Sequence, residues 1–539
     1  MEAAGINHIE LVILALLLLV AVLAALAKRI GIPYPIVLVV GGLCLSLVPH
    51  APRITLNPDV VFLIILPPLI FFAAFNTSWR EFRRNLLSIF MLAFGLVGFT
   101  VFGVALATRS MLPNFDWRLG LVLGAVVATT DPISATATAR RLGIPRRLTD
   151  LLEAESLVND GSGLVALKFT AALVVTGLTP TFLEGLGQLF YLITAGVAIG
   201  LIIGFVFDWI ERNISEAPIE ITISIATPYI AYLTAEGAGC SGVMATIACG
   251  LFLGRRSSGY YSLHARIESA AVWRTVDFAL NGVVFLVLGL QLPTILSEIH
   301  GFSIVSLSMY AALFCAVVIA LRLIWVFPSA WLIFHLRSRF QPGRAEPFSK
   351  RAAFIVGWSG MRGVLALAAA ISLPEQLNNG AAFPQRDLII FLTFCVIFAT
   401  LVLQGLSLPP LIRQLGIGGS TSAGEEEEKA RREMISAALT SLEQMRDGSS
   451  PEQEEIFDQV ELHYQRRLAL LEEESEEANE IGNGALTRKQ VREHDRIAKQ
   501  LRDVERSVAL KLRDENKIHD EVLRELEREL DLLDAHYSA

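Results

Sequence analysis

The sequence predicts an all-α polytopic membrane protein of about 13 transmembrane helices, followed by a helical cytoplasmic tail. Three observations predict it. Apolar runs of about 20 residues recur along the first 420 of 539 residues, and the mean hydropathy is +0.53. Charge is segregated: residues 1–420 hold 22 acidic and 27 basic residues, whereas 421–539 hold 31 acidic and 18 basic ones. Basic residues also alternate between the loops, as they do in a chain that crosses a membrane repeatedly.

The runs fall near residues 8–27, 31–49, 58–75, 86–108, 117–138, 155–176, 186–209, 219–236, 239–254, 276–294, 304–330, 352–373 and 387–411. Runs this long are helical, since the strands of a membrane barrel would show apolar-polar alternation instead. The run at 31–49 carries Gly41-Gly42 and that at 239–254 is short, so these two are the weakest spans. Counting all thirteen, one side carries 20 basic residues, among them Arg83, Arg84, Arg255, Arg256, Arg337 and Lys350. The other carries only Arg53, Arg109, Arg118 and Arg386. The positive-inside rule then sets the N-terminus outside and the tail in the cytoplasm of a bacterial-type inner membrane.

Several function classes drop out. There is no GxxxxGK[ST] loop and no GxGxxG after a strand, so neither ATP-driven pumping nor a nucleotide-binding tail is expected, and no cofactor is implied. The acidic balance argues against a nucleic-acid partner. The five cysteines include no CxxC pair and read as packing residues, and the histidines mostly sit in polar stretches or at span ends. Residues 8–27 read as a span rather than a cleaved signal.

Charge inside the spans is rare and costs about 2.5–3.5 kcal/mol per group at mid-bilayer. Span five holds Asp131 in Thr129-Thr130-Asp131-Pro132, and span six holds Glu155, Ser156, Asn159 and Asp160. Span twelve holds Arg362 between Gly357, Gly360 and Gly363. Pro132 lacks an amide proton, and the glycines weaken span twelve, so both helices are expected to be discontinuous. Irregular backbone at membrane depth survives only where it is buried or lines a cavity. Two interrupted spans in corresponding positions mark a transporter's binding site. Here they are the middle helices of spans four to six and eleven to thirteen.

Glu155 and Asn159 are one turn apart, as are Ser156 and Asp160, so Asp160 can face a cavity while Glu155 and Asn159 face a neighbouring helix. Two carboxylates, a hydroxyl and a freed carbonyl suit a hard monovalent cation, Na+ or K+, at Asp131 and Asp160. A carboxylate taken out of water holds its proton more tightly, so such a site binds either a proton or a cation. Glu155 and Arg362 read as a buried pair that either serves the site or only orients helices. Lys168 and Arg322 are expected to snorkel to the interface. Glu236 has a surface or an ion-entry role, and Asp277 reads as a helix-start charge.

With these residues in view, the sequence resembles the monovalent cation:proton antiporter-1 family, which includes bacterial NhaP-type sodium/proton antiporters and eukaryotic sodium/proton exchangers. Thr130-Asp131-Pro132 followed by Glu155-Ser156-Leu157-Val158-Asn159-Asp160-Gly161 carries the resemblance. Leu66-Pro67-Pro68-Leu69, Ser241-Gly242-Val243, Asn281 to Phe285 and Gly357 to Gly363 support it over about residues 10–411. The resemblance implies two inverted repeats and a homodimer embedded in lipid. Dimerisation helices would lie at about 8–75 and 186–294, and an ion-transporting core moving as an elevator at about 86–176 and 304–411. It implies ion and proton binding by Asp160, with Asp131, Thr130 and Ser156 lining the site. Glu155, Asn159 and Arg362 would stabilise the core. An Asn-Asp pair implies electroneutral exchange of one cation for one proton. The function expected is Na+/H+ antiport for pH homeostasis, with K+/H+ antiport as the nearest alternative and a cation channel as the rival of another class.

The membrane domain, residues 1–415, ends in a small-residue linker at 416–424. The tail, 425–539, is broken at Gly448 to Pro451 and Gly482-Asn483-Gly484. Its last stretch carries an apolar seam from Ile497 to Leu533, which suggests a helical hairpin or coiled coil that dimerises, or that takes a cytoplasmic regulator.

Overall fold

The fold is seen in a computed structural model. It describes residues 2–48, 56–112, 115–142, 144–177, 182–214, 216–260, 263–299, 302–340, 349–378 and 380–417, with isolated positions in the tail. The chain divides into two compact units, Met1–Ser420 and Thr421–Ala539. The helical stretches expected in the tail lie outside the described residues.

In chain order the first unit builds α1 (Glu2–Ile30), α2 (Tyr34–Ser46), α3 (Pro58–Asn76), α4 (Trp79–Arg84), α5 (Leu86–Met111), α6 (Trp117–Ala128), α7 (Ile133–Arg141) and α8 (Arg146–Thr176). There follow α9 (Phe182–Glu211), α10 (Ala217–Gly237), α11 (Gly242–Tyr260), α12 (Leu263–Leu290), α13 (Leu292–Glu298), α14 (Ile304–Phe340), α15 (Lys350–Trp358), α16 (Val364–Ile371) and α17 (Arg386–Leu415). Among the described residues the chain is helical apart from connections and one isolated bridge, Gln376 to Ala382. Each of the thirteen apolar runs falls on a helix or an interrupted helix. Among the described residues eight helices are long and apolar enough to cross a membrane, which makes this a multi-pass membrane protein.

Local chemistry explains where the helices start and loosen. The Asp116 carboxylate accepts from the Arg118 amide at 3.0 Å and opens α6, and the Ser349 hydroxyl accepts from the Ala352 amide and opens α15. In α3, Pro67 and Pro68 follow a π turn at Val61–Ile65. Pro68 cannot donate to the Ile64 carbonyl, and the Tyr229 hydroxyl donates to it instead at 2.9 Å. In a second π turn, Met91–Gly95 in α5, the Met91 carbonyl accepts from the Leu96 amide and also from Trp325 Nε1 at 3.0 Å.

Small residues bring the helices together. A Cβ on Gly42 would sit 2.2 Å from the Leu286 carbonyl oxygen and one on Gly41 2.6 Å from Leu23 Cδ1, so the glycine pair that weakened the second span is where α2 meets α12 on one side and α1 on the other. At Gly254 a Cβ would lie 2.1 Å from the Phe75 carbonyl oxygen, and backbone cannot yield. Gly254→Val therefore should destabilise the fold by about 1–3 kcal/mol through overpacking. Gly98→Ala, where nothing lies within 4 Å, should not. Melting curves of the two variants in detergent check this, and equal midpoints would contradict the packing argument.

Candidate ion site

Two interrupted helices cross at the centre of the first unit. The first breaks between α6 and α7, at residues 129–132, and the second between α15 and α16, at residues 359–363. The breaks are hydrogen-bonded to each other, with the Asp131 amide donating to the Met361 carbonyl at 2.8 Å. Both helix ends at the first break find a partner. Arg362 Nη1 donates to the carbonyls of Ala128 at 2.7 Å and Thr129 at 3.0 Å, capping the C-terminus of α6. Asp131 Oδ1 accepts from the Ile133 amide at 3.0 Å and opens α7, where Pro132 has no donor to satisfy. The Arg362 amide itself donates to Thr400 Oγ1 of α17 at 3.1 Å.

The span-twelve glycines do more than weaken a helix. A Cβ on Gly363 would lie 2.7 Å from Asp131 Cβ, and one on Gly360 would lie 2.1 Å from Arg322 Cδ. Both positions are glycine because a side chain from another segment occupies the space.

Helix α8 passes beside the crossing and presents two faces. Ser156 Oγ donates to the Thr130 carbonyl, and Asn159 Nδ2 donates to Thr130 Oγ1 at 3.1 Å and Glu155 Oε1 at 3.4 Å. Glu155 and Asn159 are fully buried. Asp160, one residue on, lines a cavity of 1020 Å³ together with Thr130, Asp131 and Ser156. The charges acting on Asp160 are those of Asp131, Glu155 and Arg362. Asp131 Oδ2 and Asp160 Oδ1 are both buried with no hydrogen-bond partner. Two buried carboxylate oxygens without a hydrogen-bond partner, on residues that line one cavity, form an anionic, oxygen-lined site fit for a hard cation or a proton.

The structure corrects three assignments made from sequence. Glu155 does not pair with Arg362. Its partner is Arg322 of α14, in a bidentate bridge with both nitrogen–oxygen distances at 2.9 Å and both side chains no more than 2% exposed. Arg362 is committed to the α6 carbonyls, so its charge caps a helix end. Arg322 accordingly does not snorkel, because its guanidinium is turned inward to Glu155 and the Val356 carbonyl. Asp277 is no helix-start charge: it stands midway along α12 and lines the same cavity as Asp131. Lys168, expected at the interface, keeps its side chain half exposed and grips Glu236 of α10 at 2.7 Å.

Sequence reasoning missed Arg322 as a partner and Tyr34 and Asp277 as cavity-lining groups. Helical spacing gave one usable signal, since Asp277 and Asn281 are one turn apart and hydrogen-bonded at 2.9 Å. No local pattern links Glu155 to Arg322, which are 167 residues apart.

The chain is similar to known proteins over most of its length. The family model described as sodium/hydrogen exchanger, transmembrane, matches residues 14–414. An uncharacterized Na(+)/H(+) exchanger of Mycobacterium tuberculosis is 32% identical over 97% of this chain and 95% of its own length. The Na(+)/H(+) antiporter ApNhaP of Aphanothece halophytica is 30% identical over 80% of each chain. A sodium, potassium, lithium and rubidium/H(+) antiporter of Bacillus subtilis is 30% identical over 81% of this chain and 66% of its own. Among solved structures, the sodium proton antiporter MjNhaP1 from Methanocaldococcus jannaschii superposes with a TM-score of 0.61. It covers 78% of this chain and 100% of that one at 19% identity, which is a likeness of fold.

Proposed function

The chain belongs to the sodium/hydrogen exchanger family, and on that premise we propose that it exchanges Na+ for H+ across the membrane by alternating access, the two competing for Asp160. The observation that carries this reading is the pair of buried carboxylate oxygens without a hydrogen-bond partner, Asp131 Oδ2 and Asp160 Oδ1, beside one cavity at the crossing of two interrupted helices. A cation entering there meets carboxylate, hydroxyl and carbonyl oxygens from Asp131, Asp160, Ser156 and Thr130. Protonating Asp160 removes the charge that holds the cation, so binding one expels the other. Competition of this kind couples the two fluxes when the site opens to one side at a time. Asn159, next to Asp160, carries no titratable proton, which is in keeping with electroneutral exchange of one cation for one proton.

In this reading the chain crosses the membrane thirteen times as two inverted repeats, with the N-terminus outside and the tail in the cytoplasm. Two copies pair through helices within residues 8–75 and 186–294, and the core within 86–176 and 304–411 moves against them as an elevator. With that orientation, the cavity wall at Asn76 and Arg274 lies toward the cytoplasm. Exposed apolar side chains on α9, including Phe190, Phe205 and Trp209, suit contact with lipid or with a second copy.

A K+/H+ reading has one observation in its favour, the Bacillus subtilis relative whose name includes potassium. Everted vesicles loaded with a pH-sensitive dye test both. Adding Na+ should dissipate an imposed acid-inside gradient, and adding Li+ and K+ to parallel samples ranks the cations. No dissipation with any of the three, or cation conductance without proton movement, would overturn antiport in favour of a channel.

A further inference from the structure

Asp277 is a charged group that the site described so far does not use. It lies on α12, and it lines the cavity across from the crossing. Its Oδ1 accepts from Asn281 Nδ2 at 2.9 Å, and Asn281 is only 5% exposed, so the carboxylate is held in one orientation. Among the described residues no cationic side chain pairs with it. Arg274, one turn earlier and also at the cavity, directs its Nε to the Ala270 carbonyl at 3.0 Å. Tyr34 of α2 stands beside it, with its ring 5.7 Å from that of the adjacent Phe278, and the Asp277 charge acts on both Tyr34 and Asp131. The remaining charged groups around the cavity are Glu153 and Asp160 of α8.

An oriented carboxylate on a cavity wall, with no cationic partner among the described residues, costs stability, and the close approach of α12 to α2 is made elsewhere, at Gly289 and Gly42. Its effect is on the cavity's potential. A wall charge opposite an anionic site raises the local concentration of cations and supplies an oxygen to an ion shedding its water.

We propose that Asp277, oriented by Asn281, is a second binding residue for the monovalent cation, a way-station on the wall that faces Asp131 and Asp160. This rests on the antiport reading and adds an asymmetry to it. Asp277 belongs to the segment assigned to dimerisation, so it does not travel with the core. It serves the cavity side only, and a cation arriving from the opposite face never meets it.

The test compares Asp277→Asn in everted and right-side-out vesicles. Asparagine is isosteric and keeps an oxygen for Asn281, so the fold is retained. The half-saturating Na+ concentration at the cytoplasmic face should rise about three- to tenfold, the effect of one lost charge across a polar cavity. The maximal rate and the half-saturating concentration at the outer face should stay within about twofold, and Asp277→Glu should restore most of the difference. An unchanged value at the cytoplasmic face overturns the way-station, and an equal rise at both faces makes Asp277 a general determinant instead. If the wild type itself shows no exchange, the antiport reading has failed. Binding of radioactive Na+ to purified protein then decides Asp277 separately: weaker binding in Asp277→Asn supports it and unchanged binding overturns it.

Discussion

Asp160→Asn should abolish proton-coupled cation movement, lowering it by about 100-fold or more, because a unit charge at contact distance contributes about 4 kcal/mol even at an effective dielectric of 20. The substitution is isosteric: the hydrogen bonds donated by the Ser156 and Asn159 side chains do not end on Asp160, and asparagine keeps an oxygen for the Thr130 amide that does. Protein yield and melting midpoint should therefore match the wild type within about 0.5 kcal/mol of stability. It removes the one group proposed to hold either a proton or a cation. Asp131→Asn should be milder for transport and leave the fold in place, because asparagine keeps an oxygen for the Ile133 amide and the backbone bond to Met361 is untouched. Dissipation of a pH gradient in everted vesicles reads both variants. Full exchange by Asp160→Asn in correctly folded protein would move the site elsewhere. Loss by Asp131→Asn alone would make Asp131 the principal carboxylate.

What could be read from the sequence divides along physical lines. The helix positions were legible, because each needs a long apolar run and the loops between them carry a sorted charge. The two breaks were legible as well. Pro132 and the Gly357 to Gly363 stretch are local causes of local irregularity. The face shared by Ser156 and Asp160 followed from helical spacing alone. Pairing across the fold was not legible. Arg322 and Arg362 are both buried arginines near Glu155, and only the geometry of α14 and the C-terminus of α6 decides which takes the carboxylate. Asp277 was misread because α12 begins at Leu263, well before the apolar run that marked it, so a group placed near a span end is in fact mid-helix. Polar residues extend a membrane helix beyond its apolar run without leaving a hydropathy signal.

Arg322→Ala should be the most damaging single change to folding, at about 3–5 kcal/mol, because it strands a buried carboxylate without its counter-ion. Glu155 is 1% exposed and both its oxygens accept from the guanidinium, so removing the arginine leaves the carboxylate buried away from solvent. The lost contact with the Val356 carbonyl loosens α15, which leads into the second break. Arg362→Ala should cost less, about 1–3 kcal/mol, since it exposes two carbonyls of a helix end rather than an isolated charge. The double variant Glu155→Gln with Arg322→Met removes both charges and roughly conserves volume, and it should recover much of the loss, as isosteric replacement of buried pairs often does. If the pair only holds α8 against α14, that double variant should also regain exchange in everted vesicles. A well-folded double variant with no exchange would show that the Glu155 charge acts on the site itself, through Asn159 and the Thr130 hydroxyl it steers. Melting midpoints for the two single variants and the double complete the cycle, and additive losses would contradict the direct pairing of Glu155 with Arg322.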